Sequence, residues 1–440
     1  MRILHTSDWH LGRSFHGASL MHEQEEIIDR IVELARNRRV DLVVIAGDLY
    51  DRAIPPTDAV RLFDEALVRL RETGATVVAI AGNHDSPNRV AVADRILEQA
   101  GVAVRGAVAR CVEPLQLEAD DGGPPVRVYP VPYLEPLLAR QHLDQLDGDA
   151  EAAGAAQAEA EETEAKAAKK AGTAGSRRAD RHDPAIALLA GQQSPEAEAT
   201  RRASHHDVTE LATTLIRRAA AAGGPTRTVV VAHTFVDGAT PSDSERDLSI
   251  GNIDRVGLDV FGGFDYVALG HLHRCQAFDE GRIAYSGSPL PYSFSEENDT
   301  KSVRIVEMNA EGRCSTEVVP LGVGRPLRTL RGRMTDLLGS AAFSEAEQDR
   351  VRFLLTDPEL PLQAMARLQT RFQHAVTLEH QPDGQIRNGS EDVAHAVEHS
   401  ENPLDLALRF WADQQGADAS DAQKKALTSA LEAAAGMDES

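Results

Sequence analysis

Cysteine is scarce in this chain, with only Cys111, Cys275 and Cys314 among 440 residues. Their odd number and wide spacing exclude a disulfide framework and a thiolate zinc site, and a reducing, cytoplasmic setting is the expectation. Long apolar runs are missing too. None approaches the roughly 20 residues that a bilayer span needs, and the chain opens directly on a strand pattern, so neither a signal peptide nor a membrane anchor is expected. Basic charge is short as well: 46 Lys and Arg face 69 Asp and Glu, a net charge of −23. A uniformly acidic surface repels polyphosphates, which argues against a broad basic face for nucleic acid but leaves room for a local positive centre. No internal repeat is visible. What is present is 42% hydrophobic content over 440 residues, enough for a large core and two or three domains.

Five short apolar runs, rich in β-branched residues, each lead into residues of metal-ligand type. Arg2-Ile3-Leu4 precedes Asp8-x-His10, Leu42 to Ile45 precedes Gly47-Asp48, and Val77 to Ile80 precedes Gly82-Asn83-His84-Asp85. Val229 to Val231 precedes His233, and Tyr266 to Leu269 precedes Gly270-His271-x-His273. Such runs read as buried strands, and the crevice beyond their carboxyl ends is where α/β proteins bind ligands, so five distant segments can serve one site. Imidazole, carboxylate and amide donors suit Mn²⁺, Fe²⁺ or Zn²⁺ better than an all-oxygen ion. Asp48 is the natural bridge between two cations about 3.5 to 4 Å apart. Asp8, His10 and His273 then complete one set, and Asn83, His233 and His271 the other. Two divalent cations outweigh the charge of Asp8 and Asp48, so the centre stays electropositive towards phosphate. Glycines before Asp48, Asn83 and His271 allow tight turns and close backbone approach.

Around these motifs the pattern is α/β. Helical spacing over Leu20 to Arg39 and Asp58 to Glu72 joins ligand-bearing strands in parallel βαβ units. Residues 1–322 make the catalytic domain, interrupted by an Ala-rich, low-complexity segment over 147–205 that lacks the apolar residues to order itself. An amphipathic helix is predicted around Val208 to Ala222. Strands Ser302 to Met308 and Cys314 to Pro320 flank a turn at Asn309-Ala310-Glu311-Gly312. Residues 323–385 read as a small α+β capping domain with strands at Leu327 to Gly332, Val351 to Thr356 and Val376 to His380. A polar linker, 386–401, leads to a helical segment, 402–435. There Asn402 caps a helix with Pro403 at its first position, and Ser420-x-x-Gln423 forms a capping box for a second.

Taken together, Asp8-x-His10, Gly47-Asp48-x-x-Asp51, Gly82-Asn83-His84-Asp85, His233 and Gly270-His271-x-His273 resemble the calcineurin-like metallophosphoesterase superfamily. Within it, Thr6 to Gly12, Gly47 to Arg52, Ser242-Asp243-Ser244-Glu245-Arg246 and Ser286-Gly287-Ser288-Pro289 look like the SbcD family of bacterial nuclease subunits. That resemblance covers roughly 1–135 and 207–435 and implies a two-layered β-sandwich flanked by helices. It implies a DNA nuclease acting in repair and recombination with two Mn²⁺ ions, exonucleolytic on double-strand ends and endonucleolytic on single strands and hairpins. It also implies an SbcC-type ATPase partner and a homodimer. The metal-ligand roles carry over to Asp8, His10, Asp48, Asn83, His233, His271 and His273. His84 is the non-ligand histidine, set to stabilise the transition state or protonate the leaving 3′ oxygen, and Asp85 is expected to orient its ring.

Blander readings compete at single positions. Trp9 reads mainly as a wall of the site, Asp51 equally as a turn acceptor or a support for the site, and Arg13, Arg52 and Arg89 equally as phosphate contacts or ordinary surface charges. His205-His206 reads as a chance pair. A phosphoesterase of small molecules and a non-catalytic scaffold are the competing classes; retention of all seven ligand-type residues argues against the scaffold.

Overall fold

The structure is a computed structural model, which describes residues 1–118, 120–149, 152, 203–248, 255–382, 408, 411, 419–420, 423–426 and 428. The linker 386–401 and most of the low-complexity and C-terminal helical segments lie outside them. By its internal contacts the chain divides into a larger unit, Met1–Leu330 with Ser340–Phe353 and Met365–Leu378, and a smaller one, Arg331–Gly339 with Leu354–Ala364 and Glu379–Ser440.

Two six-stranded sheets build the larger unit. The first runs Cys314–Pro320, Ser302–Met308, Arg2–Thr6, Leu42–Ile45, Thr76–Ile80, Val102–Arg105. The second runs Gln276–Phe278, Ile283–Tyr285, Tyr266–Gly270, Arg227–His233, Val126–Val131, Leu115–Leu117. All five ligand-bearing strands are central, and those of each sheet pair in parallel with one another. Alternation along each strand divides its side chains between two cores. Leu42 and Val44 face the interior between the sheets with Val229, Val231, Tyr266 and Ala268. Val43 and Ile45 instead pack beneath Met21–Asn37 and Thr57–Glu72, whose Ile27, Ile31, Leu62 and Leu70 are buried. On the outer face of the second sheet, Val230 and Ala232 pack with Val208, Ala212 and Ile216. Each such buried aliphatic side chain contributes roughly 1.5–3 kcal/mol. The two-layered sandwich flanked by helices is therefore the architecture expected.

Several boundaries differ from the sequence reading. The helix predicted around Val208 begins at His205, because Ser204 and Asp207 form a reciprocal capping box. His205 and His206 thus belong to this helix and not to the low-complexity segment. Residues 136–149 are helical and bury Ala139 and Leu143, so 147–149 also belong to ordered structure. The strand Val126–Val131 contains Pro130, which pairs with Val231 on one side, while pairing with Leu115–Leu117 on the other ends at Val128. Proline is tolerated where no neighbour requires its missing N–H.

Leu327–Gly332, Arg350–Leu355 and Ala375–His380 form a three-stranded sheet in that order, close to the strands predicted. In the smaller unit, Gln423 Oε1 accepts from the backbone N–H of Ser420 at 2.9 Å, the return half of the predicted capping box.

Candidate metal centre

The first sheet brings its residues to one place through a ladder that continues past the strands. The backbone N–H groups of Asp8, His10 and Leu11 donate to the carbonyls of Gly47, Asp48 and Leu49 at 3.0, 2.9 and 3.0 Å. This zipping requires unusual backbone. Asp8, His10, Asp48 and His271 all have positive φ, at 54°, 44°, 47° and 106°. Non-glycine residues in such regions cost on the order of 1–3 kcal/mol each and persist where the surroundings fix them. Glycine is required where the loops touch. A Cβ on Gly82 would lie 2.1 Å from Asp48 Oδ1, and one on Gly270 would lie 1.7 Å from the carbonyl oxygen of Ala46.

The side chains converge. His10 Nε2 lies 3.2 Å from His273 Nε2 and 3.5 Å from Asp48 Oδ2, which is also 3.5 Å from His233 Nε2. Asn83 Oδ1 is 2.9 Å from His233 Nε2 and 3.0 Å from His271 Nδ1. Asp8, His10 and His273 form one compact group of possible ligands; Asp8, Asp48 and His233 form a second, and His10, Asp48 and His84 a third. All seven residues singled out as ligands are thus brought to one centre. Asp8 Oδ2 is buried with no hydrogen-bond partner, an uncompensated carboxylate oxygen of the sort that a cation satisfies.

Electrostatics follow from this crowding. Burial, helped by Asp48, raises Asp8 to about 6 despite His233 and His273. Asp48 suffers the same burial, yet the histidines around it, His233 foremost, hold it well below the usual carboxylate range. Burial would depress His233, but Asp48 and Asp8 outweigh it and raise the ring to about 9. Burial and the charge of His233 lower His271 to about 3, and burial also lowers His10.

Asp85 is in the centre but in a different role from the one expected. Its Oδ2 accepts from the backbone N–H groups of Leu49 at 3.0 Å and Gly82 at 2.8 Å, and its Oδ1 from Tyr50 at 3.0 Å. Its oxygens are committed to bracing the two loops that carry Asp48 and Asn83. The His84 ring is instead held by the Asp51 carbonyl, 3.0 Å from Nδ1, while its backbone N–H donates to Asp48 Oδ1 at 3.0 Å. Asp51 therefore supports the site through its backbone. Arg13 pairs with the Asp51 carboxylate at 3.3 Å and lies over the Tyr292 ring. Trp9 is a wall residue, 1% exposed and packed edge-on to Phe63. Arg52 and Arg89 are exposed.

Residues 1–147 match the family described as calcineurin-like phosphoesterase. This N-terminal stretch is similar to a calcineurin-like phosphoesterase domain. That match, together with the clustered His and Asp side chains, points to hydrolysis of phosphoester bonds. Among solved structures, TT1561 of Thermus thermophilus is similar at 13% identity and TM-score 0.35, over 73% of this chain and 98% of that one. A Plasmodium protein, GAP50, the anchor in the inner membrane complex, is similar at 10% identity and TM-score 0.37, over 88% and 98%. A dimetal phosphatase from Danio rerio is similar at 12% identity and TM-score 0.36, over 73% and 96%.

Four residues packed around the centre were not legible as supports: Ser244, Glu245, Tyr292 and Glu296. Ser244 and Glu245 lie in a segment conspicuous only through its family resemblance. The Tyr292 hydroxyl donates to the Trp9 carbonyl at 2.7 Å, and its ring stands edge-on to His10 and His273. Neither Tyr292 nor Glu296 stands in a ligand-like motif. No helix among the described residues is long and apolar enough to cross a membrane.

Proposed function

We propose that this chain is a two-metal DNA nuclease of the SbcD type, with Mn²⁺ as its metal and an SbcC-type ATPase as its partner. The observation that carries the metal-centre reading is Asp48 Oδ2, equidistant at 3.5 Å from Nε2 of His10 and of His233, where one carboxylate can be shared by two ions. Asp8, His10 and His273 would hold one cation and Asn83, His233 and His271 the other. Two such cations would supply Lewis-acid polarisation of a phosphodiester and an activated water.

The chain's own groups do the rest. The Ala46 carbonyl, 2.9 Å from His233 Nδ1, keeps the proton there and leaves Nε2 to face the centre. The Asp51 carbonyl does the same for His84, so His84 Nε2 is the atom that exchanges a proton with the leaving 3′ oxygen. DNA as substrate rests on the Ser242 to Arg246 and Ser286 to Pro289 segments, which resemble those of the SbcD family. Electropositive cations in a chain of net charge −23 would confine phosphate attraction to the site. The segment 402–435, helical by its sequence pattern, would dock on the ATPase, the core helices near Asp58 to Glu72 or after Asn88 would contribute to a homodimer, and the complex would work in the cytoplasm on the nucleoid.

The test is an assay with Mn²⁺ on linear duplex, hairpin and single-stranded DNA, beside nucleotides and p-nitrophenyl phosphate esters. Cleavage of DNA ends and hairpins is expected. Turnover of the small esters without DNA cleavage would move the assignment to a small-molecule phosphoesterase.

A further inference from the structure

Behind His273 lies a polar cluster that is buried except for the half-buried Ser244. Its members are Ser242, Ser244 and Glu296, which are 3% exposed for Ser242 and 1% for Glu296. Ser244 Oγ lies 2.6 Å from His273 Nδ1 and 2.7 Å from Glu296 Oε1. Ser242 Oγ lies 3.1 Å from the same carboxylate oxygen and 2.7 Å from Ser244 Oγ. On its far side, Glu296 Oε2 meets Lys301 Nζ at 2.5 Å, and Lys301 also donates to the His273 carbonyl at 2.9 Å and to Ser288 Oγ at 3.0 Å. Glu245 ties the segments together by accepting from the backbone N–H groups of Ser242 and His273.

Proton bookkeeping gives this cluster a direction. A hydroxyl has one hydrogen, and an ionised carboxylate only accepts. Lys301 keeps Glu296 paired and ionised, so Ser244 gives its single proton to Glu296 Oε1. The oxygen it then presents to His273 is a lone pair. Nδ1 of His273 must carry the proton, and the unprotonated Nε2 points at His10 and the centre, the form that can ligate a cation.

We propose that Ser244 and Glu296 are positioning residues that lock His273 in the ligating tautomer and orientation, and so set the affinity of the cation held with Asp8 and His10. The proposal rests on the two-cation reading. Partners of metal-bound histidines typically change affinity by about 10- to 100-fold when removed.

The experiment is calorimetric titration of the metal-free full chain with Mn²⁺, joined to nitrogen-15 histidine spectra of the same samples. Wild type should bind two cations and show His273 protonated at Nδ1. Ser244→Ala should weaken one binding step by about 10- to 100-fold, leave the other within about twofold, and lose the Nδ1-protonated signature. Ser244→Thr, which restores a hydroxyl, should recover both. Glu296→Gln gives a second approach if Ser244→Ala fails to fold, and should mix the His273 tautomers. Two unweakened steps and an unchanged His273 spectrum in Ser244→Ala and Glu296→Gln would overturn the proposal. Fewer than two cations on wild type would overturn the two-cation reading itself, whatever the variants do.

Discussion

On the first sheet, Asp8, His10 and Asp48 are placed by backbone: each takes a positive φ, and hydrogen bonds between the Asp8 and Asp48 loops fix it. On the second sheet, His233 and His273 are placed by hydrogen-bond partners of their rings, with Nδ1 against the Ala46 carbonyl in one and against Ser244 Oγ in the other. The contrast separates two ways of building a ligand. A short carboxylate has few rotamers and goes where its backbone goes, whereas an imidazole must also be told which nitrogen keeps the proton. Backbone placement therefore fixes the first-sheet carboxylates Asp8 and Asp48, and ring partners fix the protonation of His233 and His273 as well.

The sharpest way to break this comparison is at the residue both sets share. Asp48→Ala is expected to abolish hydrolysis and the binding of both cations, read by metal analysis of the purified protein. Loss of one cation alone would remove Asp48 from the shared position. His84→Ala should be different in kind, retaining both cations while lowering turnover by about 10²-fold, because it removes only a proton-transfer or transition-state contact. Metal loss in that variant, measured the same way, would make His84 a ligand, as its place beside His10 and Asp48 would then require.

Acidity sharpens the second-sheet half. In the metal-free chain His233 is raised to about 9, so its pairing with Asp48 contributes stability fully present below about 6.5 and lost as pH rises through about 9. A cation needs the ring neutral. Binding should therefore release a proton below pH 9, and affinity at that site should rise with pH by up to about tenfold per unit until it levels off. Titration in buffers of different ionisation enthalpy reads the proton directly. His271, lowered to about 3, is already neutral and should release none.

The smallest effect is expected from the low-complexity segment. Replacing Glu151 to Arg201 by a short flexible joint should leave the melting temperature and DNA cleavage nearly unchanged, since composition gives that stretch little to bury. A drop of more than a few degrees would show that it packs on the fold.

Much of this was legible in the sequence because the information is local. Strand, glycine and ligand lie within a few residues of each other in Leu42 to Asp48 and Tyr266 to His273, so periodicity and spacing locate both the sheets and the ligand positions. Asp85 was legible as part of the centre but not in its role, because its partners Leu49 and Tyr50 are more than thirty residues away. Ser244 and Glu296 were invisible as supports for the same reason, since a hydroxyl and a carboxylate gain this meaning only from what the fold sets beside them. Pro130 hid a strand, because the rule that proline breaks sheets depends on a neighbour that ends at Val128.

Crystals of the full chain grown with Mn²⁺, measured at the manganese absorption edge, test the central claim most directly. Two anomalous peaks about 3.5 to 4 Å apart are expected, flanking the Asp48 carboxylate, one beside Asp8, His10 and His273 and the other beside Asn83, His233 and His271. A single peak, or two peaks that do not share Asp48, would contradict it.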